Sequence, residues 1–295
     1  MDTSNYNKQQ KGKRSAERWP FFLIGISVVL LLVGGFQLVR YYGSYREEVA
    51  LNDRLQQIRT DIAGGRAQAG TEADAAADSQ GAEQAANQAP EAALTPLEQS
   101  AALQQAMADI NPDYIGWLEL PDTTISYPVV WRDNDYYINH DFEGNANSHG
   151  AIFLDETCNE ESMIWLIHGH HMKDGTMFAG LAEYKNKDYL KTHTSLTFDA
   201  GEGVEKYRIY AAALIDFTGE TELTPAFHYE KLPGTAEEYT QWQNKLQKSA
   251  YWYDKEAAPQ ESGAEVGGLP EILVLSTCEY GTEVQRLIVV AVKEA

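Results

Sequence analysis

The chain has 295 residues and a formal net charge of −21, from 44 acidic and 23 basic side chains, with only two cysteines. This balance excludes nucleic acid as a partner, because phosphate binding needs clustered Lys and Arg. The length supports a core that needs no cross-link, so a disulfide between Cys158 and Cys278 is not required for folding.

The first 18 residues form a short basic tail carrying Lys8, Lys11, Lys13, Arg14 and Arg18. Residues 19–39, "WPFFLIGISVVLLLVGGFQLV", are uncharged. As a helix, this run just spans a hydrocarbon core of about 30 Å. A cleaved signal peptide would have a shorter apolar core and a small-residue cleavage site. Here "RYYGSYREEV" follows instead, and no cysteine stands near to take a lipid. The basic tail then predicts a single-pass anchor in the cell membrane, with the N-terminus cytoplasmic and the remainder outside.

Residues 40–94 divide in two. "YREEVALNDRLQQIRTDI" carries Val49, Leu55, Ile58 and Ile62 as a modest stripe, which predicts a juxtamembrane helix or weak coiled coil. "AGGRAQAGTEADAAADSQGAEQAANQAPEAA" has no aromatic residue and almost no branched aliphatic one, so it reads as a flexible stalk. A folded domain is expected over 95–295. It opens on a capped helix with Thr95 as N-cap, Pro96 in the first turn and Glu98 three residues on.

Eight short runs rich in β-branched and aromatic residues follow: "YIGWLELP", "ISYPVVW", "AIFLD", "MIWLIHG", "SLTFDA", "KYRIYAAALIDF", "EILVLST" and "RLIVVAVK". Turn clusters such as "PDTT" and "EGNANSHG" separate them. The pattern predicts a mainly β (α+β) fold, a closed eight-stranded barrel preceded by a helix. A helical insert, "TAEEYTQWQNKLQKSAYW", precedes the last two runs, with Tyr239, Trp242, Leu246 and Ala250 on one face. No internal repeat is visible.

Chemistry-bearing residues concentrate in two of these runs. If "ILVLSTC" and "RLIVVAVK" pair as a hairpin, Cys278 leaves one strand about where Arg286 enters the next. "WLIHGHHMKDGTMF" places His168, His170 and His171 together. One reading is a metal site, but the di-metal hydrolase pattern is broken and no further ligand cluster stands at a recognisable spacing. A second is a strand end with solvated histidines. A third pairs one histidine with Cys278, because thiolate is the reactive form and a histidine can later protonate a leaving amine. Arg286, always charged, can hold an oxyanion. Cysteine, histidine and arginine together describe acyl transfer, though none is diagnostic singly.

"LSTCEY" with arginine eight residues after the cysteine, and "GHHMKDGTMF" upstream, resembles the sortases, and more narrowly class B. The similarity runs from "NPDYIGWLELPDTTISYPVVWRDNDYYINHDFEG" through "AIFLD" to the C-terminus. The resemblance implies a sortase-like barrel in which the helical insert walls the substrate groove. It implies His170, Cys278 and Arg286 as catalytic residues, and Asn134, Ile138, Ser276, Thr277 and Glu279 as substrate contacts. No metal or other cofactor is implied. His168 stands where the family usually has tyrosine.

The implied activity is that of a membrane-anchored cysteine transpeptidase. Cys278 would attack the threonine carbonyl of an Asn-Pro-x-Thr-like signal on surface proteins. An amine of peptidoglycan or its lipid-linked precursor would resolve the thioester. The same residues would serve a pilin polymerase or a thiol endopeptidase, whereas a non-enzymatic surface-binding module would need neither Cys278 nor Arg286. "LPGTA" at 232–236 resembles a sorting signal, but no apolar segment and basic tail follow it, so it is expected to be a loop. Cys158, in the turn "LDETCNEES", is expected at the opposite end of the barrel from Cys278, with both thiols reduced.

Overall fold

The computed structural model describes residues 19–65, 93–218, 226–259, 270–278 and 284–294. The chain divides into two compact units at Glu47 and Glu48. The first holds the apolar part of helix α1 (Trp19–Ala63). By length and composition, α1 is the one helix among the described residues able to cross a membrane.

The second unit begins at Glu48, earlier than Thr95. Leu51, Leu55 and Ile62 of α1 are buried in one cluster with Leu103 and Met107 of helix α2 (Pro96–Ile110) and with Tyr114 and Trp117. The stripe predicted for a juxtamembrane helix therefore packs on the barrel. Arg59 reinforces this seat, pairing with Glu119 while its guanidinium lies 5.3 Å from the centre of the Trp117 ring. The predicted stalk falls almost wholly on 66–92, outside the described residues. Helix α2 starts as its sequence dictates. Thr95 accepts from the Glu98 N–H, and the Glu98 carboxylate accepts from the Thr95 N–H.

The eight expected strands all form: β1 (Tyr114–Glu119), β2 (Ser126–Trp131), β3 (Ile152–Leu154), β4 (Ile164–His168), β5 (Ser195–Asp199), β6 (Val204–Asp216), and later β8 (Ile272–Cys278) and β9 (Gln285–Lys293). Their order, β5-β1-β2-β3-β4-β8-β9-β6, closes because β5 also pairs with β6. Closure leaves these eight strands no open edge. Two neighbours are parallel, β2 with β3 and β4 with β8; the rest are antiparallel.

The helical insert is shorter than its periodicity predicts. Helix α5 (Ala236–Ser249) follows two single-turn helices, α3 (Asn134–Tyr137) and α4 (Lys187–Leu190). Ala250 does not extend the helical face but opens strand β7 (Ala250–Tyr253), which pairs with Ala211–Ala213 of β6. Aromatic side chains at 251–253 favour the pleated surface once a neighbour is available. The 232–236 segment is the run-in to α5: Thr235 is its N-cap and accepts from the Glu238 N–H. Leu118, Leu166, Phe178, Phe198, Leu275 and Val289 are all fully buried in the main core.

Candidate active site

Strands β8 and β9 are in register over their whole length, from Ile272 opposite Val292 to Cys278 opposite Arg286. Period two puts Ser276 and Cys278 on one face with Arg286 and Ile288, and Thr277 on the other. The Cys278 side chain is half-buried at the strand's end. Arg286 donates from Nη1 to the Gln285 carbonyl at 3.1 Å.

Strand β4 runs parallel to β8, with His168 beside Ser276. The chain stays attached beyond the strand, since the Gly169 N–H donates to the Ser276 carbonyl at 3.1 Å. Gly169 has to be glycine here. A Cβ would stand 2.5 Å from Ile152 Cδ1 and 2.7 Å from the Phe178 ring.

The three histidines then diverge. His168 Nε2 meets Asp155 Oδ2 at 2.9 Å. Burial opposes charge on Asp155, but bonds from His168 and Thr157 outweigh it and hold the carboxyl well below its usual range. His170 donates from Nε2 to the Ile138 carbonyl at 2.7 Å, which leaves Nδ1 as the accepting nitrogen of the neutral ring. His171 donates from Nδ1 to the Cys278 carbonyl at 3.1 Å. Among the described residues, no group of three or more His, Cys, Asp or Glu side chains could hold a metal ion.

The other residues singled out from the sequence are distributed as follows. Ile138, just after α3, is 41% exposed and supplies the carbonyl that orients His170. Asn134 is committed to its surroundings. It donates to Asp155 Oδ2 at 3.0 Å and accepts from the Glu156 N–H at 2.9 Å. Ser276 is buried and shares a 2.8 Å hydrogen bond with the Tyr229 hydroxyl. Thr277 is buried on the face away from the thiol, and its hydroxyl has no hydrogen-bond partner. Glu279 lies outside the described residues. Cys158 is buried against β4, with Sγ 3.4 Å from the Leu166 N–H nitrogen, and both cysteines are free thiols.

Two contributors were not singled out from the sequence. Tyr229, in the connection before α5, is buried, and burial pushes its phenol up to about 12, against the opposing pull of Ser276 and Arg286. It is held by Trp242 of α5, whose Nε1 donates to the Tyr229 carbonyl at 3.1 Å. Gly150, at φ +62°, sits beneath His170. A Cβ there would lie 2.6 Å from the Tyr137 carbonyl and 3.2 Å from His170 Cδ2. The sequence signal for Gly150 was its place in a turn cluster; Tyr229 had none.

A family model described as a Sortase domain matches residues 118–294, more than half of the chain. The chain belongs to the sortase family. Sortase B of Listeria monocytogenes is 34% identical over 180 residues, 60% of this sortase and 67% of that one. A solved Clostridium perfringens sortase B superposes with a TM-score of 0.56 at 25% identity, covering 65% of this sortase and 100% of that chain. A Staphylococcus aureus sortase B–substrate complex gives 0.56 at 24% identity, covering 66% and 85%, and speaks to the fold alone. As a sortase, the protein is a cysteine transpeptidase.

Proposed function

We propose that Cys278 is the nucleophile, His170 the acid–base group and Arg286 the oxyanion partner in sorting-signal transfer. The observation carrying this reading is the register pairing of Cys278 with Arg286 at a strand end to which the histidine loop is also tied. The Cys278 thiolate attacks the threonine carbonyl of an Asn-Pro-x-Thr-like signal, forming a C–S bond. The peptide C–N bond breaks, and the departing amine takes a proton from His170. An incoming amine then attacks the thioester, forming a new C–N bond and releasing the thiolate, while its proton passes to His170. Arg286 stabilises the oxyanion in both steps.

The substrates are proteins bearing such a signal; a sortase B of S. aureus has been solved in complex with a substrate. The acceptor is an amine of peptidoglycan or of its lipid-linked precursor. The apolar half of α1 anchors the enzyme in the cell membrane, with the basic tail inside and the barrel outside. Asn134, Ile138, Ser276, Thr277 and Glu279 are proposed to shape the signal site: Ile138 by direct apolar contact, Asn134 and Ser276 by fixing the walls.

The test is incubation of the full chain in detergent with a peptide carrying Asn-Pro-x-Thr, with and without an added amine peptide. Mass spectrometry should find a thioester on Cys278 and, with the amine present, a product joined through threonine. Cleavage elsewhere, or an acyl group on another residue, overturns the reading.

A further inference from the structure

The loop carrying His170 and His171, residues 169–178, is gripped from two sides. On one, β8 holds it through Gly169 and His171. On the other, the loop meets α1 and β2. Met177, which bridges His171, sits at φ +55°, a strained value for a side chain with a Cβ. Its N–H donates to the Tyr127 hydroxyl at 3.0 Å. Tyr127, Met177 and Gly150 line a narrow cavity together with Glu48 and Asn52 of α1. Gly150 is the residue beneath the His170 ring.

Glu48 is 5% exposed, and its Oε2 has no hydrogen-bond partner; Asn52 Oδ1 in the same wall has none either. From the elements packed against it, the titratable groups that act on Glu48 are Asp141, in the connection before β3, and Asp174, in the histidine loop; Tyr127 of β2 senses it in turn. Asp174 also staples its own loop. Its Oδ1 accepts from the Thr176 N–H and hydroxyl, and its Oδ2 meets Nε2 of the fully buried His149 at 2.9 Å.

We propose that Glu48 is a positioning residue for the histidine loop, acting as a neutral carboxyl that lets α1 seat Met177 and Asp174 and so fixes His170 and His171 relative to Cys278. This rests on the assignment of His170 above. Burial, then the charges of Asp141 and Asp174, raise Glu48 from 4.5 to about 7. Above that pH a third negative charge enters a wall with no partner for Oε2, and the loop loses its seat.

The test compares the full chain in detergent with Glu48→Gln across pH. The kcat ratio of E48Q to the unsubstituted enzyme should rise by roughly three- to tenfold between about pH 6 and about pH 8, as expected for one carboxyl titrating near 7, with KM unchanged. The backbone amide signals of Asp174, Thr176 and Met177 should show an inflection near pH 7 that E48Q removes. The amide readout does not depend on catalysis, so it separates failure of this proposal from failure of the His170 assignment. Identical amide titrations in the two proteins, or a kcat ratio flat in pH, overturn it.

Discussion

Cys278 and Arg286 face each other as register partners, one closing β8 and the other standing second in β9. The pairing sets the thiol and the guanidinium on the same face of the sheet. Each strand is also held on its outer side, β8 by β4 and β9 by β6, where Arg286 pairs with Ile215.

Arg286→Lys is expected to lower transfer by about 100-fold or more, because lysine keeps the charge but not the planar fork of donors that an oxyanion needs. Single-turnover acylation of Cys278 measures it. A near-normal rate would reduce Arg286 to a source of charge.

The two thiols should differ sharply in reactivity. Burial pushes Cys158 up to about 12, partly offset by the Leu166 N–H, so it stays a thiol at every ordinary pH. Brief treatment of the native enzyme with iodoacetamide should label Cys278 alone, read by peptide mapping. The parallel register explains their separation. Cys158 lies beside Ile164, which pairs with Ile272, six residues before Cys278, or about 20 Å along the strand.

Glu48→Gln should stabilise the fold at alkaline pH. The folded carboxyl is raised from 4.5 to about 7, so its neutral form contributes full stability below about 4.5, and this is lost as pH rises through 7. The glutamine variant escapes that loss. Unfolding free energies from urea titration should coincide near pH 4.5 and diverge in favour of the variant by up to roughly 3 kcal/mol above pH 7.

Gly169→Ala should cost about 1–3 kcal/mol by forcing a methyl into Ile152 and Phe178. The urea midpoint should fall with an unchanged m-value. Transfer should fall further than the folded fraction does, because the displaced segment leads directly into His170.

The strands were legible because each is a β-branched or aromatic run ended by turn residues, and the hairpin register followed from the short connection between Cys278 and Arg286. Strand β7 was hidden because Ala250 continues the helical spacing of α5, and only pairing with Ala211–Ala213 makes the segment a strand. The stripe over 49–62 announced a buried face but not its partner, so the docking of α1 and the burial of Glu48 could not be read. Adjacent histidines gave no direction either. His170 turns to Ile138 and His171 to Cys278 because of where α3 and β8 end. Tyr229 reaches Ser276 from a segment without periodicity, held by a tryptophan thirteen residues on.

The parallel neighbours β4 and β8 also bear on how the molecule is assembled. His171 and Cys278 meet across 107 positions of sequence, and β8 enters the barrel between strands formed early and late in the chain. Contacts this distant form late, since a long loop must close before they stabilise anything. Until the C-terminal hairpin inserts beside β4, the chain has its histidines but no thiol next to them. The proposed nucleophile and its histidines thus come together only when the barrel shuts.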